Sequence, residues 1–143
     1  LLKVDPKKKM LFNPDDSIDF QGNTGPFIQY TYARICSLLN KAGKYQSQLN
    51  TSISLIKNEK DVIKAISRFP SIIDESAKSL TPSGITSYCY ELVKLYNQFY
   101  QSVKILPETD MDTRSNRLIL SRSVSLIIKK SLHILGIHSP KRM

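Results

Sequence analysis

A chain of 143 residues has room for one hydrophobic core but not two, and 41% hydrophobic with 23% charged residues excludes a disordered protein. With 21 Lys and Arg against 12 Asp and Glu the net charge is +9 and the pI about 9.6, a balance that favours a polyanionic partner. No apolar run approaches the roughly 18 residues of a membrane span, and the two cysteines, Cys36 and Cys89, lack metal-ligand spacing and suit a reducing compartment.

The chain opens on a basic lead-in, residues 1–12, with Lys3 and the run Lys7-Lys8-Lys9, a pattern common in solvated segments. Asn13-Pro14-Asp15-Asp16 then provides a cap, a first-turn proline and acids at the positive end of a helix dipole, so a short helix is expected to about Phe20. Gly22 breaks it. The stretch from Gly22 to Gly43, GNTGPFIQYTYARICSLLNKAG, reads as one capped helix: Thr24 or Gly25 caps it, Pro26 fits its first turn, and Gly43 supplies a left-handed stop.

At about 100° per residue, Ile28, Tyr32, Ile35, Leu39 and Ala42 share one arc and form the expected core seam. On that reading Leu39→Ala costs on the order of 2–5 kcal/mol. Phe27, Tyr30 and Arg34 fall on a second arc, roughly a third of a turn away. Two rings and a guanidinium one turn apart make a platform for an unstacked nucleobase, although aromatic stripes at helical spacing more commonly serve the core.

The polar segment from Lys44 to Lys57 reads as a loop. Asn58, before Glu59 and Asp61, caps a helix through about Arg68 with Val62, Ile63 and Ile66 inward, and Pro70 ends or kinks it. A short helix over 71–79 carries Ile72, Ile73, Ala77 and Leu80, and Thr81-Pro82-Ser83 caps the next. From Ile85 to Val103 the residues Ile85, Tyr88, Cys89, Leu92, Leu95, Tyr96, Phe99 and Val103 share one face. An acidic turn, Pro107 to Asp112, precedes a last long helix capped by Asp112 or Thr113, carrying Leu120, Val124, Ile127, Ile128 and Leu135 and stopped by Gly136. No segment alternates with a period of two, so the expected class is all-α, an irregular helical bundle over 13–143 within a single domain.

The wording of the organising stretch is specific. GNTGPFIQYTYARI resembles the helix that opens the anticodon-binding domain of arginyl-tRNA synthetases, where Gly-x-Thr-Gly-Pro-Tyr-x-Gln-Tyr precedes an alanine-arginine element. VDPKKKMLFNPDDSIDF upstream, YCYELVKLYNQFYQSVKIL downstream and the ending HILGIHSPKRM are similar to further parts of that domain in the same order. Phe27 stands where the family usually has tyrosine, which keeps a stacking face but removes a hydroxyl, and Tyr32 where it often has histidine.

The resemblance implies that Phe27, Tyr30 and Arg34 read the anticodon loop of arginine tRNAs and that Met143, ending a Pro-x-Arg-Met pattern at a natural carboxyl terminus, closes the site. Lys41, Lys44 and Arg142 are candidate contacts to the tRNA backbone, within a positive surface that also counts Arg114, Arg117, Arg122, Lys129, Lys130 and Lys141. It further implies a cytoplasmic, monomeric parent synthetase whose ATP and Mg2+ chemistry lies in catalytic and N-terminal domains absent from this chain. The start at Leu1, with neither methionine nor signal pattern, fits an excised piece.

The chain carries neither His-Ile-Gly-His nor Lys-Met-Ser-Lys-Ser, nor a Gly-rich phosphate loop. His133 and His138 have no Cys or acid at ligand spacing, Asp15, Asp16 and Asp19 have a sufficient helix-dipole role, and both cysteines read as small core residues. No catalytic residue or metal site is assigned. The competing reading from another class is a helical protein-interaction module whose aromatic-arginine face docks a partner protein.

Overall fold

The computed structural model describes residues 24–46 and 48–143; the basic lead-in 1–12 and the short helix expected to Phe20 lie outside the described residues. Among the described residues there are five helices and no strand: α1 (Gly25–Ala42), α2 (Lys57–Ser67), α3 (Phe69–Lys78), α4 (Ser83–Ser102) and α5 (Met111–Ile134). The class is all-α, as expected. None of these helices is long and apolar enough to cross a membrane.

Helix α1 begins as its sequence dictates. Thr24 Oγ1 accepts the Phe27 N–H at 3.4 Å, Pro26 occupies the first turn, and Gly43 leaves the helix at φ 66°, where a Cβ would be strained. Ile28, Tyr32 and Ile35 are buried as expected, but the last apolar position shifts. Leu38 is the buried leucine, at 5% exposure, and Leu39 is only partly buried. The reason is that α1 packs on both α4 and α5, so its buried surface is wider than one seam and also takes in Thr31 and Ala33.

The helix ends elsewhere correct four expectations. At α2 the cap is Ile56, whose N–H is accepted by Glu59 Oε2 at 2.9 Å, and Asn58 lies inside the helix. Ile63 is 40% exposed, while Val62 and Ala65 carry the burial. Pro70 opens α3 from within its first turn instead of following a helix, consistent with a ring that needs no N–H partner there. Ala77 and Leu80 are exposed, Leu80 because it takes the left-handed conformation (φ 52°) that terminates α3.

Ser76 faces inward in their place, so close to Gly84 that a Cβ on that glycine would lie 2.8 Å from Ser76 Oγ. Pro82 is the cap of α4 and makes no side-chain bond. Asp110, not Asp112 or Thr113, caps α5, its carboxylate accepting the Thr113 N–H at 2.9 Å. At the other end Gly136 (φ 71°) donates to the His133 carbonyl and Ile137 to the Leu132 carbonyl, the paired bonds of a Schellman stop.

Side-chain bonds fix the helix directions. Tyr96 Oη donates to Ser121 Oγ at 3.1 Å and Cys89 neighbours Ser131, so α4 and α5 are antiparallel. Gln29 donates to the His138 carbonyl at 2.7 Å beyond one end of α5, and Asn50, past the end of α1, exchanges two bonds with Asn116 near the other. Helix α1 is therefore antiparallel to α5 and parallel to α4. Helix α2 starts beside α5, through Glu59 and Arg117, and ends beside the start of α4, where Tyr88 Oη donates to the Ala65 carbonyl at 2.9 Å.

Arg117 is not part of the open positive surface expected of it. Its side chain is 12% exposed, Nε donates to Glu59 at 2.9 Å, and Nη1 donates to Glu108 at 2.7 Å and to the Lys104 carbonyl at 3.3 Å. Arg117→Ala would strand the buried Glu59 carboxylate and should cost about 3–5 kcal/mol. Urea melts check this: a loss below about 1 kcal/mol would put the network on a par with exposed ion pairs. In the same assay Leu38→Ala should cost about 2–5 kcal/mol and Leu39→Ala clearly less.

Candidate nucleic-acid interface

The second arc of α1 meets α4. Because the two helices run in the same direction, successive turns pair in order, Phe27 with Tyr90 and Arg34 with Tyr100. The Phe27 ring is partly buried and lies 5.7 Å from that of Tyr90, tilted by 54°. Tyr30, one turn on, is 46% exposed.

Arg34 is held between two phenol rings, with Cζ 4.8 Å from the centroid of Tyr100 and 5.8 Å from that of Tyr30. This is the range of a cation–π contact. Its Nη2 donates to Asn97 Oδ1. Asn97 Nδ2 in turn donates to Thr31 Oγ1 at 3.4 Å, and Thr31 Oγ1 to the Phe27 carbonyl at 3.1 Å. Each partner is neutral, and no ion pair among the described residues engages Arg34. The result is a positive, planar donor group with fixed orientation and an open aromatic face beside it.

The other candidates are dispersed. Met143 is 58% exposed at the end of a tail that returns to the start of α1 through the Gln29–His138 bond. Arg142 is exposed on the same tail. Lys41 and Lys44 are exposed at the opposite end of α1, roughly 18 Å along the axis from Gln29 at 1.5 Å per residue. The structure thus joins Phe27, Tyr30 and Arg34 in one cluster and leaves Lys41 and Lys44 remote from the tail.

Comparison with known proteins gives this geometry a family. The DALR anticodon binding domain matches residues 28–143. The chain belongs to that family. It is 50% identical over its whole length to the arginine–tRNA ligase of Flavobacterium psychrophilum and 46% identical to that of Parabacteroides distasonis, covering 24% and 25% of those proteins. Arginyl-tRNA synthetase from Thermus thermophilus superposes with a TM-score of 0.92 at 28% identity, and that from Plasmodium falciparum with 0.84 at 25%. Each match covers 99% of this chain and 25% of the solved chain. The chain therefore spans about a quarter of the curated relatives it matches and corresponds to their anticodon-binding portion.

Two elements of this DALR domain's interface escape a reading of single helices. Asn97 and Tyr100 lie one turn apart on α4, beside the core stripe, and only the parallel α1–α4 pairing shows that they hold Arg34. The signal was present in the density of tyrosines between Tyr88 and Tyr100, which exceeds what one buried seam needs. Charge distribution is the other. Between Thr113 and Met143 there are seven Lys and Arg and no Asp or Glu, and none lies between Thr24 and Asn58 either; every acid of the described residues falls within 59–112. Helices α1 and α5 and the tail therefore form a positive half of the DALR domain.

Behind the cluster, burial pushes the Tyr96 phenol up to about 12, opposed by its Ser121 hydrogen bond and the positive charge of Arg34. Burial likewise raises Tyr88 and the Cys89 thiol, each to about 12. A raised folded value favours the neutral phenol, so this contribution to stability is complete below the ordinary tyrosine value of about 10 and is lost as pH rises through about 12. Ultraviolet titration should show exposed tyrosines ionising near pH 10 and Tyr88 and Tyr96 only together with unfolding. Reversible ionisation of every tyrosine near pH 10, with the helix signal intact, would contradict their burial.

Proposed function

We propose that this chain reads the anticodon loop of arginine tRNAs on behalf of an arginine–tRNA ligase, with arginine activation and its ATP and Mg2+ carried by catalytic and N-terminal parts outside this chain. The observation that carries the reading is the Arg34 guanidinium, oriented by Asn97 between Tyr30 and Tyr100 with no carboxylate to neutralise it. The arginine codons CGN, AGA and AGG share a cytosine at the middle anticodon position. Cytosine presents a carbonyl and an unprotonated ring nitrogen, two acceptors, whereas uracil protonates that nitrogen; the remaining guanidinium donors discriminate between them.

Tyr30 supplies the stacking face, and Phe27, seated on Tyr90, supports it from the first turn. Met143 closes the pocket from the tail, and Lys41, Lys44 and Arg142 contact phosphates of the anticodon arm. The working unit is a single copy in the cytoplasm. A protein-docking role for the same face predicts no such preference for one base and no counterion release.

Three measurements on the full-length ligase test the reading. Arg34→Ala should lower the ratio of aminoacylation efficiencies for cognate tRNA over a middle-base uracil variant; an unchanged ratio would remove Arg34 from base selection. Asn97→Ala leaves the charge but frees the guanidinium, so the ratio should fall while the dependence of binding on salt stays as it was. Tyr30→Ala should weaken both tRNAs alike, by roughly 1–3 kcal/mol for a lost stacking contact. Binding of tRNA should also decline linearly in log affinity against log salt, and an affinity flat in salt would favour the protein-docking role.

A further inference from the structure

A cavity of about 450 Å³ opens on the side of α1 away from Arg34, where the tail folds against the end of α5. Lys129 and His133 of α5 and His138, Ser139 and Lys141 of the tail line it, with Tyr32 of α1 in its wall. Tyr32 and Arg34 are two residues apart, about 200° around the helix, so this cavity is separate from the Arg34 cluster. No acid lines it, and no ion pair among the described residues engages Lys129, His133 or Lys141.

The tail brings these groups together for a structural reason. Gly136 reverses the chain, Ile137 packs back on the core, and the Gln29–His138 bond pins the next residue to α1, so that Lys141 arrives beside the last turns of α5. Lys129 and His133 sit one turn apart near the negative end of the α5 dipole, which accounts for a cation there. It does not account for Lys141 converging on them from another segment, or for a concavity lined by hydroxyl and imidazole donors.

We propose that this cavity is a phosphate-binding site, and that its ligand is a backbone phosphodiester of the tRNA whose anticodon the opposite side of α1 reads. The inference rests on the anticodon reading. Two ammonium groups at the mouth neutralise the phosphate, and His133, His138 and Ser139 supply short-range donors. The site adds affinity without regard to base identity, because a phosphate carries no sequence information.

The test compares Lys129→Ala/Lys141→Ala with Lys130→Ala in the full-length ligase, Lys130 being an exposed neighbour on α5 that does not line the cavity. The double variant should bind cognate and middle-base uracil tRNAs more weakly by the same factor. Its slope of log affinity against log salt should be shallower by about 1.5–2, some 0.7–0.9 for each lost phosphate contact. Lys130→Ala should change the slope by far less; equal changes per lysine in both variants would mean that general surface charge is being read, and would overturn the site.

Lysine acylation followed by mass spectrometry gives an independent arm. The tRNA should protect Lys129 and Lys141 but not Lys130. Protection by inorganic phosphate and not by tRNA would assign the cavity to a free anion and overturn the proposal. Failure of the wild-type enzyme to bind tRNA in a salt-dependent manner would overturn the anticodon reading itself and the cavity's role with it, whereas wild-type binding with an unaltered slope in the double variant overturns the cavity alone.

Discussion

Helix α1 must do two things at once: bury one broad face and present another. It manages both because α4 and α5 run in opposite directions beneath it. The buried side, with Ile28, Tyr32, Ile35 and Leu38, is seated against both neighbours, and this fixes the rotation of α1 about its axis. Once that rotation is set, the positions of Phe27, Tyr30 and Arg34 follow, since side chains on a helix cannot be re-aimed independently. The parallel run of α4 then brings Tyr90 under the first turn of the arc and Tyr100 under its third. The recognition face is thus a consequence of core packing, and loss of apolar contacts at Leu38 would disturb it from behind.

The same logic explains what could be read from the chain without coordinates. Periodicity locates all five described helices and most buried residues, because amphipathic helices with Gly and Pro at their ends write their boundaries locally. Caps were less legible. Ile56 and Asp110 succeed where Asn58 and Asp112 were expected, since the choice depends on where Glu59 and Thr113 bond, and Glu59 is shared with Arg117 from a distant helix. Ala77 and Leu80 look apolar enough to be inside, yet α3 is short and meets α4 through Ser76 against Gly84.

For the interface, α1 supplied the residues and the family resemblance supplied their meaning, while Asn97 and Tyr100 stayed hidden in a helix whose strongest pattern is its core seam. The cavity beneath the tail was equally invisible. It requires a chain reversal at Gly136 and a bond from Gln29 to a residue more than a hundred positions away, and no local window of sequence contains both.

Arg34 and Arg117 show how environment divides the work of one side-chain type. Both are largely withdrawn from solvent, and both donate to fixed acceptors. Arg117 faces two carboxylates, so its charge is cancelled within the fold and its role is to tie α2, the 103–110 connection and α5 together. Arg34 faces an amide and two aromatic rings, none of which carries a formal charge. Replacing Asn97 by aspartate would convert the second environment into the first. Asn97→Asp should leave the fold intact, or make it more stable, while weakening tRNA binding more than Asn97→Ala does, because the guanidinium would then meet RNA as half of an ion pair. Equal losses for the two substitutions would show that Asn97 acts through orientation alone and that the uncompensated charge of Arg34 does not contribute to binding.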